Sequence, residues 1–136
     1  MHRKLLIVDD EEDIRRMLRH SLEPLCDVLE AGNGLDALRL VKAEKPHMML
    51  LDISMPDMDG LTVLSDALSV LPTLLVMMLT GDTEIDTAVR ALDSGARAYI
   101  TKPFDPGYLT REVERLLEPG AKEGDAPWRV KDGSKK

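Results

Sequence analysis

The sequence contains a single cysteine, Cys26, so the chain cannot close a disulfide within itself and reads as a protein of the reducing cytoplasm. Positive charge is also in short supply: 18 Lys and Arg face 25 Asp and Glu, a net charge of -7. That balance argues against nucleic acid or an anionic membrane surface as a main partner, because both demand clustered Lys and Arg. No apolar stretch approaches the roughly 18 residues that a membrane span requires. The N-terminus, MHRKLLIVDDEED, turns acidic after one short apolar run, which is too short and wrongly flanked for a signal peptide. The three histidines, His2, His20 and His47, form no cluster. Internal repeats and low-complexity tracts are absent from the chain before its last residues.

What is present is enough for one ordinary domain. A chain of 136 residues, 43% of them hydrophobic, can bury a sizeable core without disulfide or metal staples. Five short apolar runs recur: Lys4 to Asp9, Cys26 to Ala31, His47 to Asp52, Thr73 to Thr80 and Ala98 to Lys102. Runs one, three and four are nearly continuous apolar blocks, the pattern of strands covered on both faces of a parallel sheet. The second is more polar and suits a sheet edge. Between and after the runs, apolar residues fall at helical spacing: Ile14, Met17, Leu18 and Leu22; Leu35, Leu38 and Val41; Leu61, Leu64 and Leu68; Ile85, Ala88, Val89 and Leu92; Leu109, Val113, Leu116 and Leu117. Pro46 and Gly95 read as stops after the second and fourth helices, and Asp82-Thr83 with Glu84 as the start of the fourth. Five strand–helix repeats predict an α/β fold, a doubly wound five-stranded parallel sheet. The polar second run favours the flavodoxin-like order 2-1-3-4-5, a (βα)5 arrangement, over a closed barrel.

In such a sheet, ligands bind outside the carboxyl ends of the strands. The first strand ends in Asp9-Asp10, the third in Asp52, the fourth in Thr80 and the fifth in Lys102. In the order 2-1-3-4-5 these strands are neighbours, so three carboxylates, a hydroxyl and an ammonium converge on one edge. Two like charges about 4 Å apart repel by about 4 kcal/mol at an effective dielectric near 20. Three carboxylates with only Lys102 to offset them therefore call for a cation, and an oxygen-only donor set points to Mg²⁺. A carboxylate there can act as a nucleophile toward phosphorus. Simpler roles exist for each residue alone. The acids of DDEED suit a helix N-terminus, which is our reading of Glu11, Glu12 and Asp13; Asp52 could be a loop cap, Thr80 a helix cap and Lys102 a solvated charge. Asp57 and Asp59 read as loop and helix-cap residues, and Met77 and Met78 as core.

The pattern LLIVDD, then LLDISMPDMDG, MLTGD and AYITKPF closely resembles the receiver domain of two-component response regulators, from about Arg3 to Leu117. The resemblance implies that Asp52 accepts a phosphoryl group from a phosphohistidine, with a sensor histidine kinase or a histidine phosphotransfer protein as the donor. It implies that Asp10 binds Mg²⁺ directly and Asp9 largely through water, with Asp52 and the backbone carbonyl of Ser54 completing the protein ligands. Thr80 and Lys102 would each contact a phosphoryl oxygen. Tyr99 would be the switch aromatic, turning inward as Thr80 moves toward the phosphate and so changing the surface of helix four, strand five and helix five. A half-buried strand residue with its hydroxyl in water is the plainer reading of Tyr99. A cis peptide at Lys102-Pro103 rests wholly on the resemblance. Gly81 leaves room over the site, while Ser54 and Asp82 occupy positions where the family tunes dephosphorylation.

Such a protein catalyses only its own Mg²⁺-dependent phosphorylation and dephosphorylation and is not otherwise an enzyme. A haloacid-dehalogenase-type phosphatase would want an acid/base Asp where Ser54 stands. A phosphate-independent binding module is disfavoured by the intact acids, Thr80 and Lys102, and a flavin carrier by DDEED in its phosphate loop. Residues 1–118 are expected to form the receiver domain and 119–136 a flexible tail bearing Trp128. No DNA-reading motif is visible. The action is expected to pass through a downstream protein target or a fused output domain, with a homodimer through helix four, strand five and helix five as an option.

Overall fold

Along each strand, alternate side chains point to opposite faces of the sheet, and here both sets are apolar. In the computed structural model, which describes residues 3–56, 59–81 and 85–118, ten elements alternate without exception: β1 (Lys4–Val8), α1 (Glu12–Leu22), β2 (Asp27–Ala31), α2 (Gly34–Glu44), β3 (Met48–Asp52), α3 (Gly60–Val70), β4 (Leu75–Thr80), α4 (Ile85–Asp93), β5 (Ala98–Thr101) and α5 (Pro106–Leu117). Every strand pairing is parallel and the order is β2-β1-β3-β4-β5. The expected flavodoxin-like topology is therefore the observed one, and the polar second run is an edge. Asp82, Thr83 and Glu84, expected to start the fourth helix, lie outside the described residues, as do His2, Asp57, Trp128 and the expected tail.

The sheet divides the interior into two layers. Leu6, Val8, Met49, Leu51, Val76 and Met78 face α2, α3 and α4, meeting Ala37, Val41, Val63, Leu64, Ala67, Ala88 and Ala91. Leu5, Ile7, Met48, Leu50, Met77 and Leu79 face α1 and α5, meeting Leu18, Leu22, Leu109, Val113 and Leu116. Each fully buried aliphatic side chain contributes about 1.5–3 kcal/mol through removal from water. Met77 and Met78, expected in the core, are both wholly buried, one in each layer.

Two residues of the expected helix stripes point outward instead. Leu35 is 66% exposed and Val89 46%. On α2 the buried positions are Gly34, Ala37 and Val41, and a residue at 35 lies roughly 100° around the helix from Gly34. On α4, Ala88 and Ala91 carry the contact, which turns Val89 toward solvent. Small residues bring these helices close to the sheet and leave the larger neighbours at the margin.

Local chemistry fixes the helix ends. Asn33 caps α2 by accepting the Asp36 N–H at 2.8 Å. Asp59 caps α3, as expected, and Asp105 caps α5 ahead of Pro106. Lys45 closes α2 in the left-handed region just before Pro46. Gly95, after α4, has φ +115°, and an added Cβ would lie 2.7 Å from Leu68 Cδ1. Glycine meets both demands, the backbone angle and the close approach.

Candidate functional site

The chain leaves β1 at Val8, and the ladder continues for one bond more: the Asp9 N–H donates to the Ala31 carbonyl at 3.1 Å. Asp9 is completely buried. Its Oδ1 accepts the Glu11 N–H at 2.9 Å, a turn that directs the backbone into α1, and its Oδ2 accepts from Lys102 Nζ at 3.2 Å. Asp52, the last residue of β3, is 3% exposed. Its Oδ1 accepts the Ser54 N–H at 3.2 Å and lies 3.3 Å from Lys102 Nζ. Lys102 reaches both acids because it follows β5, whose register sets Thr80 opposite Thr101, and its own N–H donates to the Thr80 carbonyl.

Asp9, Asp10 and Asp52 thus meet, each offering a carboxylate oxygen within 4.8 Å of the others. Asp9 and Asp52 are buried and Asp10 is exposed, so the cluster has a closed floor and an open side. Oxygen donors of this kind fit a hard divalent cation, and among the described residues the Lys102 ammonium is the one cation paired with these carboxylates, which leaves the set short of positive charge. Burial pushes the Asp52 carboxyl above the ordinary carboxylate range, the Asp9 charge pushes it further, and Lys102 and the Ser54 N–H recover only part of this. Burial works to lower the Lys102 ammonium, but the pairing with Asp52 and Asp9 outweighs it, so Lys102 is raised and firmly charged.

The remaining expected residues lie on or just after β3, β4 and β5. Thr80 is fully buried at the end of β4, and its hydroxyl donates to the Gly81 carbonyl at 3.1 Å. An added Cβ on Gly81 would meet nothing within 4 Å, so space is open beside Thr80, as expected. Tyr99 is 4% exposed and belongs to the core layer that includes Ala88, Ala91 and Met78. That is more burial than a strand residue with its hydroxyl in water would show. The Lys102-Pro103 peptide is cis. Ser54 is exposed. Asp82, the other position expected to tune dephosphorylation, is not among the described residues.

Outside the motif pattern, a group of three charged residues touches the site through one of them, Arg15. Arg15 and Arg19 of α1 both donate to Glu30 of β2, and Arg15 Nη1 donates to the Asp9 carbonyl at 2.7 Å. The hydrogen bond from Arg19, then burial in the opposite sense, then the bond from Arg15 set the Glu30 carboxyl, which lies below its usual range. The signal available in the sequence is the i, i+4 spacing of Arg15 and Arg19 together with an acid in the polar second strand.

A family model described as "Response regulator receiver domain" matches residues 5–114. The alkaline phosphatase synthesis transcriptional regulatory protein PhoP of Bacillus subtilis is 36% identical over 118 residues, which are 86% of this chain and 49% of that protein. The chain therefore spans about half the length of that curated relative. Among solved structures, the receiver domain of NtrX from Brucella abortus superposes with a TM-score of 0.80 at 34% identity, covering 85% of this chain and 99% of that one. A CheY-like response regulator receiver domain protein from Methanospirillum hungatei gives 0.82 at 31% identity, covering 86% and 94%.

Proposed function

This chain belongs to the response regulator receiver domain family, and from that premise we propose that it is a phosphorylation-controlled switch whose acceptor is Asp52. The observation that carries the reading is the meeting of three carboxylates from two strand ends, with one lysine bridging two of them. An Asp52 carboxylate oxygen attacks the phosphorus of a phosphohistidine, the P–N bond breaks, and its electron pair leaves with the imidazole. The product is an acyl phosphate on Asp52, later hydrolysed by water. Catalysis is confined to this turnover of the protein's own phosphoryl group.

Asp9, Asp10, Asp52 and the Ser54 carbonyl would hold Mg²⁺, which when bound supplies positive charge to the phosphoryl oxygens. Lys102 would pair with a phosphoryl oxygen. Since Lys102 already bridges Asp9 and Asp52, its ammonium is positioned before the group arrives, and little reorganisation is needed. Thr80 gives up its bond to the Gly81 carbonyl and donates its hydroxyl to the phosphoryl group instead. Because Thr80 is two strand positions from Met78, the register partner of Tyr99, this movement is felt in the layer beneath α4. The α4–β5–α5 surface is the output face and the place where a homodimer would form.

The donor is a sensor histidine kinase or a histidine phosphotransfer protein in the cytoplasm. Beside the acids lies a recess of about 370 Å³ lined by Ile14, Met17, Lys102, Pro103 and Phe104, largely apolar and suited to a helix face presenting the phosphohistidine. The target is a downstream protein or a fused output domain, as the half-length coverage of PhoP suggests. Among the described residues, no helix is long and apolar enough to cross a membrane.

The test is incubation with acetyl phosphate and Mg²⁺ followed by intact mass measurement. One phosphoryl group is expected on the wild type, and none without Mg²⁺ or in Asp52→Asn. An unchanged wild-type mass under conditions where Mg²⁺ binds would overturn the reading.

A further inference from the structure

We propose that Arg15, braced by Glu30, is a positioning residue that sets the Asp9–Asp10 peptide for cation binding. The proposal rests on the reading of Asp9, Asp10 and Asp52 as the Mg²⁺ site. Asp9 is tied at every polar atom. Its N–H meets Ala31, Oδ1 meets the Glu11 N–H, and Oδ2 meets Lys102. Its carbonyl accepts Arg15 Nη1 at 2.7 Å, the short separation of a charge-assisted bond. That carbonyl belongs to the peptide unit joining Asp9 to Asp10. A planar peptide moves as one body, so gripping its oxygen fixes the direction in which the chain enters Asp10. Asp10 is the exposed member of the acidic cluster and lacks the burial that holds the other two.

Arg15 can do this only if its own plane is fixed. Glu30 Oε1 accepts Arg15 Nε at 3.0 Å, using the inner edge of the guanidinium while Nη1 points at Asp9. The other carboxylate oxygen of Glu30 is taken by Arg19, which is tied further to the Val28 carbonyl and Glu23. The side chains of Arg15 and Glu30 are 18% and 27% exposed, so solvent competes only weakly for the pair. Gly32, just after β2, makes the passage: a Cβ there would stand 3.2 Å from Arg15 Nη1. Edge strand, first helix and acidic loop are thereby joined in one line, Glu30 to Arg15 to Asp9. Groups that orient metal ligands from behind in this way commonly control affinity.

Arg19 supplies the control. It shares Glu30 but makes no bond to the Asp9 carbonyl, so a purely structural role would weigh on Arg15 and Arg19 alike. Mg²⁺ alone is titrated into wild type, Arg15→Gln and Arg19→Gln by calorimetry, and backbone amide shifts are recorded before metal is added. Arg15→Gln is expected to weaken Mg²⁺ binding about tenfold, and Arg19→Gln less than about twofold. The Asp10 amide resonance should move in the metal-free Arg15→Gln protein and stay in place in Arg19→Gln. If Arg15→Gln does not fold, Glu30→Gln, which keeps the shape but weakens the brace, carries the comparison with the same expected direction. Equal Mg²⁺ affinity in wild type and Arg15→Gln, or equal losses in the two arginine variants, overturns the inference and leaves the site itself intact. Absence of Mg²⁺ binding in wild type would overturn the reading of the site on which the inference rests.

Discussion

Replacing Asp52 with asparagine should make the metal-free protein more stable. Asp9 and Asp52 hold carboxylate oxygens within 4.8 Å. At an effective dielectric near 20, that separation means a repulsion of at least about 3.5 kcal/mol. Asp10 adds to it, weakened by solvent because Asp10 is exposed. Against this, Lys102 at 3.3 Å attracts Asp52 by about 5 kcal/mol on the same scale. The Coulomb terms nearly cancel, which leaves the cost of burying a carboxylate that is 3% exposed. Asparagine keeps the shape and removes the charge, while Lys102 retains Asp9 at 3.2 Å and is not orphaned. The expected gain is roughly 1 to 2 kcal/mol near neutral pH with a chelator present. The pH dependence follows from the raised carboxyl of Asp52. A carboxyl that holds its proton more tightly in the fold than in the unfolded chain destabilises the fold once ionised. The penalty is complete above the folded value and fades as pH falls toward the unfolded value. The advantage of Asp52→Asn should therefore shrink on mild acidification. Urea unfolding followed by circular dichroism measures it, and Mg²⁺ should reverse the order by binding the wild-type fold more tightly. A variant less stable than wild type in chelator at neutral pH would refute the reasoning.

Lys102→Ala should still bind Mg²⁺, since the three carboxylates remain, yet fail to carry the effect of phosphorylation to Tyr99; normal amide shifts on α4 and β5 after acetyl phosphate would contradict that role. Gly95→Ala should destabilise by about 1–3 kcal/mol, through its positive φ and the 2.7 Å approach to Leu68 Cδ1, with an unchanged urea midpoint as the contrary result.

Much of this fold is legible in the residue pattern. Continuous apolar runs at Lys4, His47 and Thr73 located the central strands to within two residues, because strands buried on both faces admit little else. The polar character of the run ending at Ala31 put it at an edge. Strand-end chemistry then brought Asp9, Asp10, Asp52 and Lys102 together, since topology alone sets which ends are neighbours. Finer matters escaped. Leu35 and Val89 fit a helical period but face outward, because small residues set the contact and periodicity does not fix the phase of a stripe. The Arg15–Glu30–Arg19 group depends on how α1 lies across β2, a distance no spacing rule supplies. The bond from Thr80 to the Gly81 carbonyl is a rotamer choice with no trace in the residue pattern.

The sheet, filled on both sides by separate apolar layers, also acts as a partition wall. Ile14 and Met17 beside the acids pack with the layer of α1 and α5, whereas Tyr99 and the α4 alanines occupy the other compartment. Side chains beside the donor recess can thus be exchanged without repacking Tyr99 and the α4 alanines, whereas α5, which shares the recess's compartment, feels the exchange. The row of strand tips, where Asp9, Asp52 and Lys102 sit, belongs to both compartments and joins them at the rim.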